Sequence, residues 1–242
     1  MMKKFKQTAV LLFGLLLVAS LFRITQFKSF AAGDGQLTLN QTTLFISGHV
    51  EKSQITNYEN KASVRIIYVQ NCVLPEDCSY LFTGYTNCIT ICITETDASQ
   101  VKSMLGMFSN LDNLRFALLP NLNTTRLERM DAMFTGCTNL RAVQLHGLDT
   151  HNVKSMVLMF AMCRSLTSLD LSFLTVSKDT MAGSMFLRCP LSYLELGSSF
   201  CEITSIMHLN GNWKRASDGA VVYQGNGPAV FKNNGNNVYR SF

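Results

Sequence analysis

Four prolines, one tryptophan, four histidines and a charged fraction of 15% leave this 242-residue chain poor in several kinds of chemistry. So little charge, set against 47% apolar residues, excludes a disordered polyelectrolyte and allows one domain with an ample core. Zinc sites need Cys and His clustered at short spacings. Cys88-x-x-x-Cys92 is the tightest pair, with no second pair at a suitable spacing and no histidine nearby in sequence. No metal and no cofactor is expected. Balanced charge is also lacking at the N-terminus: Lys3, Lys4, Lys6, Arg23 and Lys28 lie within 31 residues that contain no acid. They account for the formal charge of +5. The neutral remainder offers a phosphate backbone little attraction, so nucleic acid is not an expected partner.

What the N-terminus does have is the pattern of an export signal. Three lysines precede an apolar run from Ala9 to Phe22, broken only by Gly14 and Ser20. The run is shorter than the roughly 20 residues needed to span a bilayer. A polar stretch ends in Ser29-Phe30-Ala31-Ala32, with small residues placed for cleavage after Ala31. Residues 1–31 are therefore expected to be a signal peptide, with an uncleaved membrane anchor as the alternative. No cysteine stands at the junction for lipid attachment, and no apolar tail or sorting motif is found near the C-terminus.

Phe82, Phe108, Phe134, Phe160 and Phe186 recur every 26 residues. Leu81, Met107, Met133, Met159 and Met185 precede them, and Tyr85, Leu111, Cys137, Cys163 and Cys189 follow three places later. Several apolar columns held in phase over five copies define a repeat architecture. Met104, Met107, Phe108 and Leu111 fall at i, i+3, i+4 and i+7, which predicts one face of a short helix. Leu114-x-x-Ala117-x-Leu119 and its equivalents at Leu140, Leu166 and Leu191 alternate like a strand. The expectation is an α/β solenoid of about five helix–strand units with a parallel sheet on one face and small caps at both ends. The unit Val153-Lys154-Ser155-Met156-x-x-Met159-Phe160-x-x-Cys163-x-x-Leu166-x-x-Leu169-Asp170-Leu171-Ser172 resembles the repeat of BspA-type leucine-rich-repeat surface proteins. It is closest to the variety described as mycoplasma-lipoprotein-associated repeats. The resemblance implies an extracellular or surface-attached bacterial protein used for adhesion or other recognition, with no catalytic residues to carry over. Two departures stand out: Leu122, Leu148 and Leu174 occupy the usual Asn column, and no wall anchor is found.

The flanks read as caps. Residues 32–77 contain one or two strands between Leu37 and Gly48 and a first strand in Ser63–Gln70, and the solenoid occupies 78–199. Residues 200–242 are rich in Gly and Asn, with Trp213, Tyr223, Phe231, Tyr239 and Phe242 interspersed. A hairpin cap is the first reading of this tail, and a carbohydrate-stacking surface the second.

Eight cysteines in an exported chain invite disulfides, but their columns say otherwise. Cys137, Cys163 and Cys189 share a column with Tyr85 and Leu111, and Cys88 shares one with Leu114, Leu140 and Leu166. These four are expected to be buried thiols, since helices of neighbouring units would stand about 10 Å apart. Cys72, Cys78 and Cys92 lie in or beside the first cap, where Cys72–Cys78 is the candidate for one bridge, and Cys201 has no obvious partner. A Cys-dependent enzyme would draw on Cys137 or Cys163 with His146 or His151, but a core-facing thiol is inert. The methionines sit mostly in repeat columns and serve as filler.

The outward sheet positions remain: Arg115, Phe116, Leu118, Arg141, Gln144, His146, Asp170, Tyr193 and Glu195. Exposed Phe116 and Leu118 beside Arg115, Arg141 and Tyr193 have the composition of a binding patch. The expected function is recognition or adhesion outside the cell by a monomer, with a protein or glycan ligand on host matrix, other cells or the cell wall. A structural wall component without a specific ligand is the alternative, and an enzyme is remote.

Overall fold

The computed structural model describes residues 35–198, 200, 209, 211–223, 233 and 235–242. The expected signal peptide, Cys201 and Phe231 lie outside the described residues. The chain builds β1 (Gln36–Asn40), β2 (Thr43–His49), a single turn of helix α1 (Lys52–Thr56), β3 (Ile66–Val73), β4 (Thr90–Thr94), β5 (Phe116–Leu118) and β6 (Ala142–Gln144). It continues with β7 (Ser168–Leu171), β8 (Tyr193–Leu196), β9 (Trp213–Arg215), β10 (Val221–Tyr223) and β11 (Asn237–Ser241). Strands β2 to β6 pair in parallel in chain order, as do β7 and β8. The molecule is a β-solenoid.

The helix–strand leucine-rich-repeat architecture is thereby overturned. Beyond α1 the described residues contain one further short helical element, the 3-10 turn Lys61–Ser63. Where helices were expected, each coil makes two back-to-back turns. Tyr80, Gly106, Ala132, Leu158 and Ser184 adopt positive φ, and so do Gly84, Asn110, Gly136, Met162 and Arg188 four residues later. An α-helix cannot pass through left-handed residues at that spacing. The amides divide their partners instead. Met107 and Ser109 donate within the coil to Met104 and Gly106, while Gly106, Phe108 and Asn110 donate to Asp131, Met133 and Thr135 of the next coil. Each non-glycine left-handed residue costs roughly 1–2 kcal/mol. A lateral hydrogen bond returns about 1 kcal/mol, and leaving that amide buried and unpaired would cost more.

Two turns bury the same residues that a helical stripe would. Met104, Met107, Phe108 and Leu111 are all fully buried. The phenylalanine column becomes a ladder of stacked rings, with centroids 5.5, 5.1, 5.5 and 6.2 Å apart from Phe82 to Phe186. Coils therefore stack at the spacing of paired strands and not at the 10 Å of packed helices. Asn87, Asn113 and Asn139 form a second column, each side-chain amide donating to a backbone carbonyl of the preceding coil at 2.8–2.9 Å. On the opposite corner Glu76, Lys102, Glu128 and Lys154 alternate in sign, with ion pairs of 2.9 Å (Glu76–Lys102) and 2.7 Å (Glu128–Lys154).

The strand wall is split between β6 and β7, which belong to different sheets, while the turn wall continues across them. Asn71 within β3, and Glu95, Asn121 and Gly147 after β4, β5 and β6, are left-handed residues. Phe173 takes that place in the next coil without a positive φ. The His146 ring lies 4.6 Å from Phe173 and its Nε2 is 3.6 Å from Asp170, spanning the split. Both ends of the solenoid are covered. At the first, Ile55 of α1 is buried and its carbonyl accepts from the Tyr85 hydroxyl at 2.8 Å. At the other, β11 lies antiparallel between β8 and β9, with Trp213 and Tyr239 fully buried. Those two aromatics are cap core and present no stacking surface.

Candidate functional site

The outward sheet face takes its side chains from alternate strand positions. Register places Phe45, Tyr68, Cys92, Leu118 and Gln144 in one row across β2 to β6, and Asp170 with Glu195 across β7 and β8. A second row runs Thr43, Ile66, Thr90, Phe116 and Ala142, with Ser168 and Tyr193 beyond the split. The face changes character at that split. Before it stand the half-buried Phe45, Ile66, Tyr68 and Phe116, and after it the acidic pair Asp170 and Glu195.

Three expected exposures are corrected. Leu118 keeps 2% of its surface, Tyr193 keeps 4%, and Phe116 is half-buried. Leu118 is flanked in register by Cys92 and Gln144 and along its strand by Phe116, so outward direction does not mean exposure. Tyr193 donates to Glu195 at 2.7 Å and lies under the Arg240 guanidinium, 5.9 Å from the ring centroid. Burial, and then the Glu195 carboxylate, push its hydroxyl pKa up. Gln144, Asp170 and Glu195 are half-buried, while Arg115, Arg141 and His146 are exposed. The sequence reading missed Phe45, Ile66 and Tyr68, where Phe45 and Tyr68 meet edge to face at 6.0 Å. It also missed Arg65, which precedes β3 as Arg115 precedes β5 and Arg141 precedes β6. The signal was the alternation within Thr43–His49.

Cys88, Cys137, Cys163 and Cys189 are buried free thiols, and Cys72 and Cys78 are also free, so the expected bridge is not made. Burial pushes Cys88, Cys137 and Cys189 up to about 12 and Cys163 well above the usual thiol value. Cys137 and Cys163 donate to the carbonyls of Phe108 and Phe134 at 3.0 and 3.2 Å, and among the described residues neither thiol hydrogen-bonds His146 or His151. His151 pairs instead with Asp149. Among the described residues no three His, Cys, Asp or Glu side chains stand together as a metal site would require. The charged corner encloses an open cavity of about 320 Å³ between Lys102, Thr125, Arg126, Glu128, Asn152 and Lys154. Lys102 and Lys154 are paired with Glu76 and Glu128, and Arg126 donates to the neutral Gln100 side chain at 2.7 Å.

No curated protein matches the chain. Residues 76–194, just under half of it, match the family described as Mycoplasma protein of unknown function, DUF285. With the β-solenoid fold, this match replaces the BspA-type leucine-rich-repeat resemblance. The stacked coils from Glu76 to Leu194 are thus similar to a family whose description assigns no activity.

Proposed function

We propose that the chain is an exported, non-catalytic recognition module that docks a protein or glycan partner on its outward sheet face. The observation that carries this reading is the half-buried apolar group Phe45, Ile66, Tyr68 and Phe116, spread over a parallel sheet and bordered by exposed Arg65, Arg115 and Arg141. Apolar and aromatic groups beside arginines are enriched where proteins bind partners. The backbone beneath is held by lateral bonds in every coil, so little ordering entropy is spent on association. Export is supported by the lysine-led apolar N-terminus.

The reading is tested with the full chain and a Phe116→Glu variant, applied to immobilised matrix proteins, mucin and isolated cell walls. Saturable binding that the folded variant loses at least tenfold is the expected result. Equal binding by both proteins contradicts the sheet face as the site, and binding by neither contradicts recognition altogether. A structural wall role is the second reading, favoured by the uninterrupted ring ladder and turn wall. It expects co-fractionation with the wall that Phe116→Glu leaves unchanged.

A further inference from the structure

Cations on the two long corners of the solenoid are treated differently. On the corner before the turn wall, Lys52, Lys102 and Lys154 each pair with a carboxylate at 2.7–2.9 Å, and Arg126 donates to the neutral Gln100. On the corner before the strands, Arg65, Arg115 and Arg141 are exposed, and none makes an ion pair among the described residues. These arginines form one column. The amide of Ile89 donates to Arg65 O at 2.7 Å, that of Arg115 to Ile89 O at 2.8 Å, and that of Arg141 to Arg115 O at 3.0 Å. The ring ladder fixes the axial step at 5.1–6.2 Å per coil. Exposed Arg164 stands in the neighbouring column with Thr86, Asp112 and Thr138. Asp112 is the one carboxylate of that column, and the Thr138 hydroxyl donates to it at 3.4 Å.

We propose that this arginine column binds a linear anionic polysaccharide laid along the solenoid axis. The proposal rests on the strand side being the recognition surface and names the ligand class for its edge. Guanidinium groups present forked donors that match carboxylate and sulfate groups in two-point contact. Arg115 and Arg141 stand one coil apart and Arg65 two coils from Arg115, with Ile89 between, so a compact anion reaches at most the Arg115–Arg141 pair while a polymer that repeats its charge reaches all three. The support is rigid: Asn87, Asn113 and Asn139 tie this corner from coil to coil, so the arginine backbones keep their spacing. Single-stranded nucleic acid is disfavoured because it also needs exposed rings on which bases stack. Among the described residues the strongly exposed large apolar ones are Tyr80, Met181, Val221 and Phe242. Tyr80 belongs to the turn wall, and the Phe242 ring is covered by Lys214 at 5.3 Å.

The test measures binding of the full chain to heparin, polygalacturonate, neutral dextran, oligothymidylate and polyglutamate at low ionic strength, then with added salt. The expected result is saturable, salt-weakened binding of the sulfated or the carboxylated glycan, the two arms showing which anionic group is preferred, and no binding of dextran. Arg115→Gln with Arg141→Gln lowers glycan affinity about tenfold or more, and lowers the salt slope by about two. The matched pair Lys102→Gln with Lys154→Gln leaves affinity within about twofold of wild type. Should the glutamine pair melt early, Arg115→Lys with Arg141→Lys keeps the charge, loses the fork and is expected to bind at an intermediate level. Glycan binding unchanged in the arginine variants, equal binding of dextran, or tighter binding of oligothymidylate or polyglutamate overturns the proposal. If Phe116→Glu abolishes partner binding while the arginine variants do not, the sheet face stands as the site and the polysaccharide column falls.

Discussion

The buried cysteines show how one residue's position in a coil sets its chemistry. Their ordinary pKa of 9.0 rises to about 11 at Cys72 and Cys92 and to about 12 at Cys78, Cys88, Cys137 and Cys189, chiefly because burial penalises the thiolate. A raised folded-state pKa contributes stability that is complete below pH 9 and lost as pH rises towards the folded value. Urea midpoints should therefore hold steady below pH 9 and fall steeply above it, each thiol withdrawing about 1.4 kcal/mol per pH unit. A thiol reagent at neutral pH should label Cys137, Cys163 and Cys189 only as fast as the protein unfolds. Rapid labelling of the native chain would contradict their placement. Gly147 gives a backbone counterpart. Its φ is +91°, and an added Cβ would meet Asn121 Cα at 2.7 Å. Gly147→Ala should cost roughly 1–3 kcal/mol, read as a lower urea midpoint with an unchanged far-UV spectrum.

At the scale of elements, the repeat period and its core columns were legible in the sequence, and the type of element was not. Apolar residues at i, i+3, i+4 and i+7 satisfy a helical stripe, and they equally satisfy two consecutive turns that face one core. Gly84, Gly106, Asn110 and Gly136 were the distinguishing signal, because they fill the two left-handed columns. Tyr80, Ala132, Leu158 and Ser184 in the same columns concealed it, lateral hydrogen bonds holding residues there that do not prefer that conformation. The site was legible in part. Arg115 and Arg141 stood out beside Phe116, but Arg65, Ile66 and Tyr68 escaped because Ile66 pairs with Thr90 and so falls short of the 26-residue period. Alternation along a strand also says nothing of how neighbouring strands cover a residue, as the burial of Leu118 shows. The ring ladder makes its own prediction. Phe134 stacks on both Phe108 and Phe160, so Phe134→Ala should cost about 3–5 kcal/mol and lower the melting temperature more than the same change at Phe186. Equal losses at the two positions would show that stacking on both sides adds nothing.

For the whole molecule, each coil touches only its neighbours, so stability is close to a sum over coils and their interfaces. The caps supply what the end coils lack: α1 covers the first core, and β9 with β11 completes the last sheet. The docking proposed for the strand side would then have a rigid base whose length is set by the number of coils. The most direct test of that account removes one coil and nothing else. Deletion of residues 130–155 takes out one 26-residue period and joins Arg129 to Met156, each in its own column. The account predicts a cooperatively folded, slightly less stable protein whose far-UV spectrum remains that of a β-rich chain. A shorter deletion of residues 134–155 breaks every column and should not fold. If the two deletions are equally damaging, or if the one-coil deletion shows a helical spectrum, the stacked β-coil account is wrong.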